Sequence, residues 1–353
     1  MPVITSPQEF NTDDLYVDLR PVLGSRLYLK CEGFNFAGSI KLKAAAAMVE
    51  QAEESGVLGP SSVLVESSSG NLGVALSMIA ANKGFRFLCV TDSRCNLATR
   101  QMMRALGAEV VTVEQPGAGT GFLAARREHV RRLCASDPRY VWLNQYTNAF
   151  NRIAHQRTTA PAIARRFPDL DVLFVGAGTA GTLMGCARYF RESGHPVTVV
   201  AVDTVGSVTF GGPDLTRMIP GLGAGVRPEL LDLSYIDDVV MVPETETVRT
   251  CRRLASTGFL FGGSTGTVVA GAERWLAAHR PDSETTAVAI SPDLGERYLD
   301  TLYQESWVQE VYGDAMTAAS DGSALNPGDS HLNPAGSGPN PFGSDLNPVG
   351  GRP

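Results

Sequence analysis

The sequence predicts an α/β protein of two domains, each built on a mostly parallel, twisted sheet with helices on both faces. Short β-branched and apolar runs alternate with helical patterns, as in parallel sheets covered by helices. The alternation restarts after a long helical stretch that begins near residue 151. The chain has 353 residues, 43% of them apolar and 19% charged, enough for two ordinary cores.

In order, Val63-Leu64-Val65 reads as a buried strand and Gly70 to Asn82 as the helix after it. Phe85 to Val90 is the next strand, and Ala98 to Leu106 a helix closed by Gly107 at its C-cap. Val110 to Val113 is a strand, Ala124 to Ala135 a helix, Val141 to Leu143 a strand, and Asn151 to Arg166 one long helix. The second series has strands at Val172–Val175, Val197–Val202, Val239–Val242 and Ala287–Ile290. Its helices are Thr182–Glu192, Glu244–Ser256 and Thr267–His279. The predicted domains are 1–148, whose first 35 or so residues are expected to cross to the other domain, and 149–312. From 313 to 353 the dipeptide Asn-Pro recurs every seventh residue, among Gly, Ser and Asp. Proline at that period excludes a heptad helix, so this segment reads as a disordered, low-complexity tail.

Net charge is -7, which gives a nucleic-acid partner no electrostatic support. The basic run Arg126-Arg127-Glu128-His129-Val130-Arg131-Arg132 reads as the solvated face of a helix. Six cysteines occur without a C-x-x-C pair or zinc spacing, so no metal site is expected, and Cys89 and Cys186 read as core residues. The N-terminus has neither a basic start nor an apolar h-region, and no apolar stretch is long enough to span a bilayer. A cytoplasmic protein with reduced thiols is the expectation.

Lys41 lies where the loop Asn35-Phe36-Ala37-Gly38-Ser39-Ile40 feeds a helix. Four further glycine-bearing runs follow, at Ser67–Asn71, Gly176–Thr182, Gly221–Gly225 and Gly262–Gly266. A lysine joined by several loops fit to cradle anions suggests a covalently held, phosphate-bearing cofactor, pyridoxal phosphate (PLP) bound as a Schiff base. Lys43, two residues on, reads instead as a surface lysine at a helix start. A dehydrogenase reading of the Gly176 loop lacks a full G-x-G-x-x-G and leaves Lys41 unexplained.

Five motifs stand in one order: Ser39-Ile40-Lys41, Ser68-Ser69-Gly70-Asn71, the Gly178-Thr179-Ala180-Gly181-Thr182 loop, Gly262-Gly263-Ser264-Thr265-Gly266, and Gly295-Glu296-Arg297-Tyr298. In these, and over roughly residues 15 to 305, the chain resembles the fold-type II PLP enzymes of the cysteine synthase and cystathionine β-synthase group, whose fold is like that of the tryptophan synthase β-subunit. The resemblance implies that Lys41 binds the cofactor and moves the substrate α-proton. It places the cofactor phosphate on Gly178, Thr179, Ala180, Gly181 and Thr182, where small residues let N–H groups approach an anion at a helix start. Asn71 matches the asparagine that bonds the pyridine 3'-oxygen, and Ser264 the serine that faces the pyridine nitrogen. A serine cannot keep that nitrogen protonated as an aspartate would, which favours loss and replacement of a β-substituent over transamination. Ser68, Ser69 and Gln145 match the substrate-carboxylate site, although Leu72 stands where cysteine synthases usually carry a threonine. A homodimer is expected from the same resemblance.

The runs Glu66–Gly73 and Ala201–Val208, and the ending Gly295–Thr301 followed by Trp307, are similar to one branch of that group. It makes N-(2-amino-2-carboxyethyl)-L-glutamate from O-phosphoserine and glutamate, supplying 2,3-diaminopropionate for siderophores and peptide antibiotics. Tyr146, a phenylalanine in most cysteine synthases, offers a phenol to an anionic leaving group. Arg126 and Arg217 are the candidate cations for the phosphate and for the carboxylates of glutamate. The alternatives are an O-acetylserine or O-phosphoserine sulfhydrylase and a catalytically idle regulatory homologue.

Overall fold

A computed structural model describes residues 3–10, 12–24, 26–117, 121–281 and 284–317. Residues 1–312 form one compact unit. In the remaining unit only 313–317 are described, with a short helical turn at Asp314–Thr317, so the Asn-Pro tail lies outside the described residues.

The strands are β1 (Tyr16–Asp18), β2 (Leu27–Cys31), β3 (Val63–Ser67), β4 (Arg86–Asp92), β5 (Glu109–Val113), β6 (Tyr140–Trp142), β7 (Val172–Gly176), β8 (Thr198–Thr204), β9 (Asp238–Val242) and β10 (Ala287–Ser291). The helices are α1 (Arg20–Leu23), α2 (Lys41–Glu54), α3 (Asn71–Lys83), α4 (Leu97–Ala105), α5 (Gly121–Ser136), α6 (Ala149–Arg157), α7 (Thr159–Arg166), α8 (Gly181–Glu192), α9 (Glu244–Ser256), α10 (Gly263–His279) and α11 (Glu305–Tyr312). They build a four-stranded sheet, β5-β4-β3-β6, and a six-stranded sheet, β1-β2-β10-β7-β8-β9. Every pairing is parallel except β1 with β2. The α/β class predicted from the alternation is therefore the observed one.

Strand β3 is buried along its whole length and most of β7 is, as expected of strands covered on both faces. On the larger sheet, Val172, Phe174, Val200 and Val202 pack one core with α10, while Leu173, Val175, Val199 and Ala201 pack another with α7 and α8. Alternate residues of each strand thus feed opposite faces. Cys89 and Cys186 are core residues, and all six cysteines are free. Among the described residues no helix is long and apolar enough to cross a membrane.

Two differences from the predicted elements have local causes. The single helix expected over 151–166 is two, α6 and α7, broken at Thr158 (φ -126°, ψ -66°). Pro161 explains the break: it has no N–H for the Arg157 carbonyl four residues back, and its ring crowds that carbonyl. Helix α10 starts at Gly263, four residues before the predicted start at Thr267. Gly266 lies within its first turns because a Cβ there would come within 2.3 Å of Cys251 Sγ, so this glycine serves close packing, not a turn.

Helices α6 and α8 cross most closely at Gly185, where a Cβ would lie 2.5 Å from the Arg152 carbonyl oxygen and 2.9 Å from the Gln156 nitrogen. Both obstacles are backbone and cannot swing aside. Gly185→Ala is expected to destabilise the protein by about 3 kcal/mol, read as a lower urea midpoint at unchanged slope.

Candidate active site

The carboxyl ends of β3, β4, β7 and β10 lead into one cleft of about 210 Å³, the place where parallel α/β sheets bind ligands. Every residue predicted for the site lines it: Lys41, Ser68, Ser69, Asn71, Arg126, Gln145, Tyr146, Gly178, Thr179, Ala180, Gly181, Thr182, Arg217 and Ser264.

Lys41 is the first residue of α2, and the loop before it is pinned to the end of β10 by the Ile40 N–H to Pro292 carbonyl bond (2.7 Å). Burial lowers the Lys41 ammonium to about 8, against the opposite pull of the Asp293 carboxylate. Asp293 is fully buried, and burial raises its own pKa, opposed by its hydrogen bonds. It accepts from Tyr298 Oη (2.6 Å) and from Asn71 Nδ2 (3.0 Å). The Asn71 carbonyl oxygen in turn accepts from Arg297, which also donates to the Ala37 carbonyl. Asn71 and the Lys41 loop are thus held by one buried network. Asp293 was missed in the sequence, although the Pro292-Asp293 step directly after an apolar strand marks the functional end of a parallel sheet.

The Gly178–Thr182 loop joins β7 to α8 with Ala180 in the left-handed region (φ 64°). Among the described residues, the backbone N–H groups of Gly178 to Thr182 make no hydrogen bond. A Cβ on Gly178 would lie 2.8 Å from the Gly221 carbonyl oxygen. The loop therefore presents bare donors at the positive end of a helix, the environment that a phosphate dianion takes. On the far wall Ser264 is buried in the first turn of α10, and a Cβ on Gly221 (φ 116°) would fall 2.2 Å from its hydroxyl. A lysine with a lowered pKa, a bare anion loop and two small polar side chains are what PLP needs, so the residues present fit it.

Ser68 accepts from the N–H groups of Gly70 (3.2 Å) and Gly73 (2.9 Å), so its oxygen caps α3, while Ser69 stands partly exposed beside it. Gln145 is buried and donates to the Ser67 carbonyl (3.0 Å). Burial pushes the Tyr146 phenol up against the pull of Arg126, and the Arg127 guanidinium lies 5.0 Å from the centre of its ring. Arg217 donates to the carbonyls of Gly206 and Leu215 and so braces its own loop.

Two expectations are corrected. Arg126 does not belong to a solvated helix face: it is buried, with Nε 3.1 Å from Asp92 Oδ2, while Arg131 and Arg132 are exposed. Its Nη1 makes no hydrogen bond among the described residues. Lys43 is not a surface lysine, being buried and paired with Asp13 (2.7 Å) and Glu32 (2.9 Å). Successive residues on a helix point about 100° apart, so Lys41 and Lys43 face different neighbours, and the N-terminal segment that covers Lys43 was not legible locally.

Residues 13–293 match the family described as "Pyridoxal-phosphate dependent enzyme". The chain belongs to that family. It is 40% identical over 303 residues to an N-(2-amino-2-carboxyethyl)-L-glutamate synthase of Ralstonia nicotianae, a match covering 84% of this chain and 89% of that protein. It is 39% identical over 304 residues to an enzyme of the same name from Cupriavidus metallidurans, with 84% and 88% covered. The crystal structure of a hydrogen sulfide-producing enzyme from Fusobacterium nucleatum superposes with a TM-score of 0.78 at 28% identity, covering 84% of this chain and all of that one. The protein is a PLP-dependent enzyme that acts on small amino acids.

A buried carboxylate behind the cleft ties its stability to pH. Burial raises Glu66 to about 7, against the bonds it accepts from Trp142 Nε1 (2.8 Å), Ser67 N (2.9 Å) and Gln145 N (3.3 Å). The folded chain holds this proton to higher pH than the unfolded one does. Its contribution to stability is then full below about pH 4.5 and is lost as pH rises through about 7, by roughly 3 kcal/mol. Urea unfolding between pH 5 and 8 should show this contribution as the difference in slope between wild type and Glu66→Gln, because Asp203, which burial raises to about 6, adds to the wild-type slope and His155, which burial holds well below its usual value, opposes it.

Proposed function

We propose that this enzyme replaces the phosphate of O-phospho-L-serine with the amino group of L-glutamate, giving N-(2-amino-2-carboxyethyl)-L-glutamate and inorganic phosphate. One observation carries the choice of substrate: Arg126, which lines the cleft and is buried beside Tyr146, has an Nη1 without a hydrogen-bond partner among the described residues. A buried guanidinium nitrogen without an acceptor is costly, and an anionic substituent on the substrate supplies the acceptor. The names of the relatives from Ralstonia and Cupriavidus point the same way.

In this reading Lys41 holds PLP, the Gly178–Thr182 loop holds its phosphate, and Asn71 and Ser264 hold its ring. When bound, PLP supplies the sink for the electron pair left by the α-proton. Lys41, whose burial makes its free amine far more accessible than that of an ordinary lysine, takes that proton from the α-carbon and returns it at the end of the cycle. The start of α3, with Ser69 and Gln145, binds the α-carboxylate, and Ser68 keeps that turn in place. Arg126 and the Tyr146 phenol receive the departing phosphate, and Arg217 meets a carboxylate of glutamate. The halves 1–148 and 149–312 are read as the two domains facing across the cleft, in a cytoplasmic homodimer that feeds 2,3-diaminopropionate supply for siderophores or peptide antibiotics.

The test is a choice of nucleophile. Holoenzyme given O-phosphoserine should release phosphate at a rate that rises with glutamate, and the new amino acid should appear by mass spectrometry. Phosphate release that answers to sulfide alone, with cysteine as product, would make the enzyme a sulfhydrylase.

A further inference from the structure

A line of buried polar side chains runs from Lys43 to the proposed phosphate loop. Lys43 Nζ lies 3.4 Å from Thr159 Oγ1, which is 3.0 Å from His155 Nδ1, and His155 Nε2 is 3.2 Å from Thr182 Oγ1. Lys43, His155 and Thr159 are buried, whereas Thr182 is partly exposed and lines the cleft. His155 belongs to none of the roles assigned above.

The chemistry of the first member sets the direction of the whole line. An ammonium has protons and no lone pair, so it can only donate. Its other contacts are the carboxylates of Asp13 and Glu32. Thr159 Oγ1 therefore turns lone-pair density toward Lys43 and directs its own proton to His155 Nδ1. Nδ1 is then the acceptor, and the neutral ring carries its proton on Nε2. Nε2–H donates to Thr182 Oγ1, and the Thr182 proton is left to point away from His155, into the cleft.

The opposite direction fails at both ends. With the proton on Nδ1, Thr159 would receive two donors, and its own proton would have no acceptor among the described residues. Thr182 would donate inward and turn its lone pairs on an incoming anion. Burial, reinforced by the charges of Lys43, Lys41 and Lys30, holds the imidazole well below its usual pKa, in keeping with a neutral ring.

We propose that His155 is a positioning residue that fixes the Thr182 hydroxyl as a donor to the cofactor phosphate, with Lys43 and Thr159 setting the direction of the relay. The proposal rests on the reading of Gly178–Thr182 as the phosphate loop, and the experiment separates the two. Histidine-labelled holoenzyme should show His155 as the Nε2–H tautomer in long-range nitrogen–proton spectra, the resonance being assigned by its loss in His155→Gln. In titrations of the full-length apoenzyme, His155→Leu should weaken PLP about tenfold and leave pyridoxal, which lacks the phosphate, within about twofold. His155→Gln, whose amide offers an N–H near the place of Nε2, should recover most of the loss. An Nδ1–H or doubly protonated His155 overturns the relay, and so does an equal loss of PLP and pyridoxal affinity in His155→Leu. Wild-type protein that holds pyridoxal as tightly as PLP removes the phosphate-loop reading and the relay with it.

Discussion

Lys41→Ala is expected to lower kcat/KM by about 10⁴-fold or more, roughly 5.5 kcal/mol of transition-state stabilisation, while the protein stays folded and still binds PLP without a covalent bond. The loss is large because in the proposed cycle one amine both holds the cofactor and moves the α-proton. The fold should tolerate the change. Alanine suits the first turn of α2, and Asp293 keeps its bonds from Tyr298 and Asn71 when the neighbouring ammonium is gone. Borohydride reduction followed by peptide mapping should label Lys41 in the wild type and nothing in the variant. Full turnover in Lys41→Ala would remove this residue from the chemistry.

The same lysine carries a pH signature. A group near 8 is about one-tenth free amine at pH 7, whereas an unperturbed lysine is less than about 0.1% free. Covalent uptake of PLP by the apoenzyme should therefore accelerate with pH and level off above about 8, well before pH 10. The sign follows from burial, which disfavours the charged form of an amine. Asp293→Asn removes the one carboxylate that opposes this, and should move the midpoint lower still.

Much of this site was legible because its parts are local. A strand that ends in Gly, Thr or Ser and passes into a helix carries its loop chemistry within a few residues, so Lys41, Asn71 and the 178–182 loop could be placed from the chain alone. What could not be read was distant pairing. A crossing of the first 35 or so residues to the other domain was expected, but strand β2 joins the larger sheet through β10, with Leu27 opposite Ala287, and nothing in residues 27–31 announces that particular partner. The same distance hid the burial of Lys43, since its partners Asp13 and Glu32 come from the segment ahead of α2. Asp92 and Arg126 lie in separate elements, and only the packing of α5 over β3 and β4 turns a basic run into a buried ion pair. The break at Thr158 is different, because the signal, Pro161, was in the sequence and the helical periodicity ran over it.

Gly181→Ala should be a severely damaging change for a single methyl group in the cleft. A Cβ at Gly181 would lie 2.2 Å from Asn151 Oδ1 and 2.5 Å from its Cγ. Asn151 is buried, and its Nδ2 bridges the Gln145 carbonyl (2.7 Å) and Thr179 Oγ1 (2.9 Å). The new methyl must push this amide out of a position defined by two buried bonds, or push the start of α8 away from the cleft. Either movement disturbs the anion loop on one side and the Gln145 turn on the other. We expect PLP affinity to fall at least about 100-fold and stability by roughly 2–4 kcal/mol, from overpacking together with lost buried hydrogen bonds. Because the obstacle is a side chain, the argument can be tested against itself. Asn151→Ala alone costs its two bonds, but it also clears the space that Gly181→Ala needs. The double variant should therefore lose much less than the sum of the two single changes, with a coupling of about 1–3 kcal/mol. Additive losses would mean that Gly181 is required for some reason other than the approach of Asn151.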